Sequence, residues 1–175
     1  MNPVTRHDYD LVIVGGGSAG QVAAPAAAAL GARVALVDRE RLGGECLWTG
    51  CVPSKSLIAS AMAARQTRHL DALGLNGALE PVTLGAVMDR VQGVIDGIYR
   101  TEDAEALRRR GVDVYLGHAA FQSPRRLDVD GHSLSARAFL LCTGSRPAVP
   151  PIRGWRQSTT SPTRRSSACA ISPVT

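Results

Sequence analysis

Aromatic residues are scarce in this chain. They make up 4% of 175 residues, as two Trp, three Tyr and two Phe. A core must therefore be built from Ala, Val, Leu and Ile. No uninterrupted apolar run reaches membrane-spanning length. The first ten residues are polar and carry no apolar core of a signal peptide. Four cysteines are too few for a disulfide-scaffold miniprotein. These absences predict a cytoplasmic protein with no membrane partner. There a cysteine is reduced by default, so a closely spaced pair points to redox chemistry or metal binding. Acidic residues are absent from Arg156 to Thr175, where three arginines supply +3 of the formal net charge of +5. The remaining residues carry only +2. The basic residues form no single stripe and aromatics are few, so no nucleic-acid partner is predicted.

The rest of the composition is that of a globular protein, 45% hydrophobic and 20% charged. Asp10–Gly15 is a short apolar run closed by glycine, which reads as a buried parallel strand. Ser18–Leu30 is Ala-rich and helical in composition, with Gly31 as its stop. Pro25 inside it predicts a kink or a late start. Arg33–Asp38 is a second strand, completing a βαβ-sized unit. A helical pattern runs from Ser54 to about His69. Leu84, Val87, Val91, Val94, Ile95 and Ile98 mark an amphipathic helix continuing to Arg110, with a break expected near Gly97–Tyr99. Val112–Leu116, Ala119–Gln122, Arg126–Val129 and Ser133–Ser135 are short strand candidates, and Asp130-Gly131 is a hairpin turn. Ala136–Cys142 reads as another buried strand.

Gly15-Gly16-Gly17-Ser18-Ala19-Gly20 is a G-x-G-x-x-G between strand and helix. Gly15 permits a tight turn, Gly17 a close backbone approach to a pyrophosphate, and Gly20 close packing of helix on strand. Free amides and the dipole at the helix N-terminus favour an anion. Asp38 ends the second strand, where a carboxylate accepts hydrogen bonds from an adenosine ribose without a phosphate, as in FAD or NAD. The loop alone does not choose between them.

Gly43–Lys55 is rich in glycine and holds two cysteines five residues apart, Cys46 and Cys51. In an unbroken helix their Cα atoms stand about 8.7 Å apart. A disulfide usually needs about 4.4–6.8 Å. A bridge therefore requires a distorted helix, or one beginning between them, and Gly50 and Pro53 give that freedom. A cysteine near a helix start and near Lys55 favours its thiolate. The alternatives are two unrelated buried cysteines or a metal site. The four histidines are scattered without ligand spacing, so no metal is predicted.

This segment resembles the redox-active motif of the class I pyridine nucleotide–disulfide oxidoreductases, which include dihydrolipoamide dehydrogenase, glutathione reductase and mercuric reductase. Glu45 stands where the usual pattern has Thr, and Trp48 where it has Asn. That version is similar to a mercuric-reductase-like subgroup. Leu140–Pro147, with Pro150 and Pro151 after it, resembles the second FAD motif, with Cys142 in place of alanine. As a small residue at a close backbone approach, Cys142 is expected to be packed rather than reactive.

The resemblance covers about Tyr9 to Gly154. It implies an α/β, Rossmann-like FAD-binding domain with a parallel sheet and a small β-meander. It implies FAD on the first loop, with Gly15, Gly17, Ser18, Ala19 and Gly20, then Asp38 and Arg39, as binding residues. Gly43, Gly44, Glu45, Thr143 and Gly144 are the remaining ones. Cys51 is implied as the thiolate beside the flavin, Cys46 as the thiol that attacks substrate, and Lys55 as a positive charge near the flavin. In the full-length family NAD(P)H supplies electrons, the substrate is a small-molecule disulfide or a metal ion, and the enzyme is a homodimer.

The NAD(P)H-binding and dimerisation domains of that family are not found in these 175 residues. Residues 1–155 are expected to be a partial FAD-binding domain, and 156–175 a disordered Ser/Thr/Arg-rich tail. Shifted by one base with permissive codons, Thr159–Thr175 encodes a segment resembling the one after the second FAD motif in the mercuric-reductase-like subgroup. A frameshift near Arg156–Ser158 is therefore expected. The competing expectation is an inactive, truncated product that binds flavin weakly or not at all.

Overall fold

The computed structural model describes residues 7–145 apart from 78 and 79. Val12, Ile13, Ala35, Leu36 and Val37 are buried on both sides, as parallel strands between two layers require. They belong to β1 (Tyr9–Val14) and β2 (Val34–Asp38), joined by α1 (Ser18–Ala29). Next come the short α2 (Gly44–Trp48), α3 (Cys51–Thr67), a 3₁₀ turn at Asp71–Leu73, α4 (Leu84–Glu102) and α5 (Ala104–Arg109). Four strands follow: β3 (Val112–Leu116), β4 (Ala119–Ser123), β5 (Arg126–Val129) and β6 (His132–Leu141). Among the described residues, no helix is long and apolar enough to cross a membrane.

The strand order is β3-β2-β1-β6-β5-β4. β3, β2, β1 and β6 run parallel, while β4, β5 and the start of β6 form an antiparallel meander. The mixed α/β, largely parallel architecture agrees with the Rossmann-like expectation. One core, with Ile13, Leu36, Val34 and Val112, packs against Ala24 of α1 and Leu107 of α5. The other joins Val12, Ala35 and Val37 to Leu127 and Val129 of the meander. The scarcity of aromatics is met by aliphatic packing on both faces.

Four local expectations change. Helix α1 starts at Ser18 and runs through Pro25, so there is no late start. It stops where Gly31 adopts φ +86°, with Gly31 and Ala32 N–H returning to Ala28 and Ala27 carbonyls. The amphipathic helix breaks at Asp103, not near Gly97–Tyr99, because the Asp103 carboxylate accepts from Ala106 N–H at 2.7 Å and caps α5. The two expected strands at Ser133–Ser135 and Ala136–Cys142 are one ten-residue strand, β6, pairing with β5 over its first half and β1 over its second. Helix α3 begins at Cys51, three residues before the expected Ser54. The Asp130-Gly131 hairpin is present, with φ +46° and +89°. The tail expectation at 156–175 and the prolines after Ser145 lie outside the described residues.

Candidate functional site: a dinucleotide cleft clipped to a cysteine pair

The strand order reverses at β1, with β2 on one side and β6 on the other, and such sheets leave a crevice at the carboxyl ends of the strands. The glycine loop sits there. Gly15 adopts φ +112°, and a Cβ on it would strike the Cys142 carbonyl. Cys142 is accordingly half-buried and packed, and its N–H donates to the Val14 carbonyl at 2.7 Å. A Cβ on Gly20 would strike the Gly15 carbonyl and come within 3.1 Å of Leu36. Gly20 therefore seats α1 on the loop as well as on β2. Gly17 differs: a Cβ there would meet only Gly44 Cα, at 3.7 Å. Protein packing does not require glycine at 17, whereas an approaching ligand would.

Gly17 is the N-cap of α1 and gives it no side-chain cap, and the first turn holds no acid. The first-turn amides, with Ser18 and Ala19 exposed, are open to an anion. Asp38 is half-buried at the end of β2. Its carboxylate accepts from Gly16 N–H at 2.7 Å and from Glu40 N–H at 3.1 Å. Two of roughly four acceptor positions are used, so the rest stay open to hydroxyl donors. Asp38, Arg39, Thr143 and Gly144 line one cleft of about 590 Å³. Gly117, His118, Ala119 and Ser145 line it too, and sequence reading passed over them. In the sequence Ser145 fell within the Leu140–Pro147 motif and Ala119 opened a strand candidate, but none of the four stood out as a binding residue. The volume lies in the usual range for a small-molecule or cofactor site. The cradle, the open helix terminus and the spare carboxylate acceptors together suit a dinucleotide.

The cysteine segment is fastened to this loop. Gly43 N–H donates to the Gly16 carbonyl at 2.8 Å, and Gly44, with φ +58°, lies against Gly17 so that a Cβ would come within 2.7 Å of its Cα. Trp48 holds the segment from behind. Its indole N–H donates to the Leu42 carbonyl at 2.7 Å, its ring meets Tyr99 of α4 at 5.1 Å, and the Arg41 guanidinium lies 3.8 Å over it. This clamp was not legible in the sequence, where Trp48 stood out only as a departure from a pattern.

Helix breaks between the cysteines, as a bridge would require. Cys46 lies in α2 and Cys51 opens α3, with Gly50 (φ −114°, ψ −104°) between the two helices. The Thr49 and Gly50 amides both turn back to the Glu45 carbonyl, at 3.0 and 2.7 Å. Both cysteines are unbridged, Cys46 half-buried and Cys51 exposed. A hydrogen bond with the Cys51 thiol, followed by burial, pushes the Cys46 thiol up from its ordinary pKa, while the Ser18 hydroxyl draws it down. Lys55 is exposed one turn after Cys51, on the same helix face. Glu45 is exposed in a second cleft, about 420 Å³, with Arg39, Arg41 and Trp48. Among the described residues no cluster of three His, Cys, Asp or Glu could hold a metal ion.

Residues 9–170 match the family described as pyridine nucleotide-disulphide oxidoreductase. A dihydrolipoyl dehydrogenase of Acholeplasma laidlawii is 36% identical over 152 residues, covering 86% of this chain and 45% of that protein. A glutathione reductase of Burkholderia cepacia is 34% identical, covering 85% of this chain and 33% of that protein. A mercuric reductase of Staphylococcus aureus is 31% identical over 150 residues, 86% of this chain and 27% of that protein. This chain thus spans less than half the length of these relatives. Three differently named reductases and dehydrogenases match at similar identity, so no subgroup is singled out. With the family's description matching nearly the whole chain, the chain belongs to the pyridine nucleotide-disulphide oxidoreductase family.

Proposed function

We propose that this chain provides the FAD-binding and disulfide-bearing part of a flavoprotein oxidoreductase, in which electrons pass between NAD(P)H, flavin and the Cys46–Cys51 pair. One observation carries the reading: the cysteine segment is clipped to the phosphate loop through Gly43–Gly16 and Gly44–Gly17. Any dinucleotide in the cradle is thereby held next to the two thiols.

Bound FAD would accept hydride and hand on two electrons, chemistry the side chains lack. The chain's own residues do the remainder. The α1 amides bind the diphosphate, and Asp38 orients the ribose. Thr143 and Gly144 close the same cleft from the end of β6. Cys51, exposed at the start of α3, faces the flavin side of the pair in this reading, and Lys55 adds positive charge one turn on. Cys46 exchanges with substrate. The Cys51 thiol and burial hold the Cys46 thiol above its ordinary pKa, and the Ser18 hydroxyl offsets part of that rise toward the thiolate that attack requires. Reduction of the disulfide consumes two electrons and two protons and yields the two thiols.

The test is flavin retention. The chain is incubated with FAD, freed of excess by gel filtration, and its bound flavin measured by absorbance. Near-stoichiometric flavin that falls sharply in Gly17→Ala supports the reading. A colourless chain with an intact thermal transition overturns it and favours a non-catalytic fragment.

A further inference from the structure

One wall of the 590 Å³ cleft is the turn between β3 and β4, formed by Gly117, His118 and Ala119. Two elements fasten it. Gly117 N–H donates to the Asp38 carbonyl at 2.8 Å, which ties the turn to the strand end that carries the Asp38 carboxylate. The other fastening comes from Asp130, in the hairpin between β5 and β6. Its carboxylate accepts from His118 N–H at 3.1 Å, and its own N–H donates to the His118 carbonyl at 3.3 Å. Gly117 is buried, and a Cβ on it would strike the Asp130 carboxylate.

The hairpin by itself does not ask for this carboxylate. Asn, Asp or Gly serves at the first position of a tight turn with two positive φ values. Among the described residues Asp130 is the one non-glycine residue at positive φ, +46°. Glycine would take up that φ with no Cβ to accommodate. The Asp128 carboxylate already supports the turn by accepting from Gly131 N–H at 3.2 Å. What the Asp130 carboxylate adds is its reach to His118.

We propose that Asp130 is a positioning residue for the nucleoside end of the bound dinucleotide: acting through His118, it holds the β3–β4 turn in place beside Asp38. This rests on the FAD-binding reading given above. Asp130 does not itself line the cleft, so its effect is carried by the turn. A turn fixed before the ligand arrives need not be ordered on binding, and that saving appears as affinity. The sign of the effect is diagnostic. Loss of a negative charge by itself favours an anionic ligand, whereas loss of positioning weakens its binding.

The experiment measures FAD and ADP binding to the full chain by calorimetry, for the parent, Asp130→Gly and Asp130→Asn. ADP carries the adenosine and diphosphate without the flavin. Asp130→Gly keeps the turn and the main-chain bond to His118 and loses only the carboxylate. It is expected to weaken FAD and ADP alike by about tenfold, the scale of ordering one or two groups on binding. Asparagine retains a carbonyl acceptor, so Asp130→Asn should stay within about twofold of the parent. Hydrogen exchange at the His118 amide should accelerate in the glycine variant alone. The rate of Cys46 alkylation should not change, because the cysteine segment is held by other contacts. Parent-like FAD and ADP affinity in Asp130→Gly, a fall confined to FAD, or an asparagine variant as weak as the glycine one would overturn the inference while leaving the flavin reading intact. A parent chain that binds neither probe overturns the flavin reading, and this inference falls with it.

Discussion

Gly17 and Gly20 occupy the same motif, yet the structure gives them opposite jobs. At Gly20 an added Cβ strikes the Gly15 carbonyl, a backbone atom that cannot rotate away. Overpacking of this kind costs about 1–3 kcal/mol, and more where the backbone must shift. Alanine's better helix propensity returns about 1 kcal/mol. The net loss expected for Gly20→Ala is about 2 kcal/mol, or about 4–8 °C in Tm for a domain of this size. At Gly17 the backbone is ordinary for an L-residue, with φ −79°, and the nearest atom to a new Cβ is 3.7 Å away. Alanine is a poorer N-cap than glycine, so Gly17→Ala should cost under about 1 kcal/mol. Its methyl group would, however, occupy the space through which a diphosphate approaches. A tenfold or greater fall in flavin affinity is expected, about 1.4 kcal/mol. Thermal melts and flavin titration on both variants read the two effects separately. If Gly17→Ala melts as early as Gly20→Ala, or binds flavin as the parent does, the division of labour drawn from the geometry is wrong.

Trp48→Ala should lower stability by about 2–4 kcal/mol, and Trp48→Phe by about 1–2, because only the latter keeps the ring contact while leaving the Leu42 carbonyl unpaired; chemical denaturation would show it. In Cys51→Ala the hydrogen bond that raises the Cys46 pKa is gone. The midpoint of Cys46 alkylation against pH should therefore move down, and an unchanged or higher midpoint would contradict the pairing. Asp8 is held below its ordinary pKa chiefly by the Ser135 hydroxyl and then the Ser135 amide. Its contribution is present above the unfolded value near 3.9 and is lost as pH falls through the folded value. Hydrogen exchange at the Ser135 amide should accelerate selectively below about pH 4, and Asp8→Asn should remove that pH step.

Strands β1 and β2 and the loop between β1 and α1 were legible because each carries its own local reason: a continuous apolar run, a glycine with forced φ, an acid at a strand end. The separation of Cys46 and Cys51 by a helix break followed from helix geometry and Gly50. What stayed hidden depends on contacts distant in sequence. The break at Asp103 comes from a cap, which outweighed the glycine and tyrosine at 97–99 that suggested one earlier. β6 is a single strand because its two halves find different partners, and that division exists only once β1 and β5 are in place. His118 gained meaning only when the β3–β4 turn reached Asp38. Trp48 was visible as an oddity, but its clamp on Leu42 and Tyr99 required the fold.

Whether the dinucleotide cradle holds a flavin against the Cys46–Cys51 pair can be read from the visible spectrum of the flavin-loaded chain, recorded before and after dithiol reduction. A long-wavelength thiolate–flavin band is expected on reduction, absent in Cys51→Ser. A flavin spectrum that shows no such band when both thiols are demonstrably reduced would contradict it.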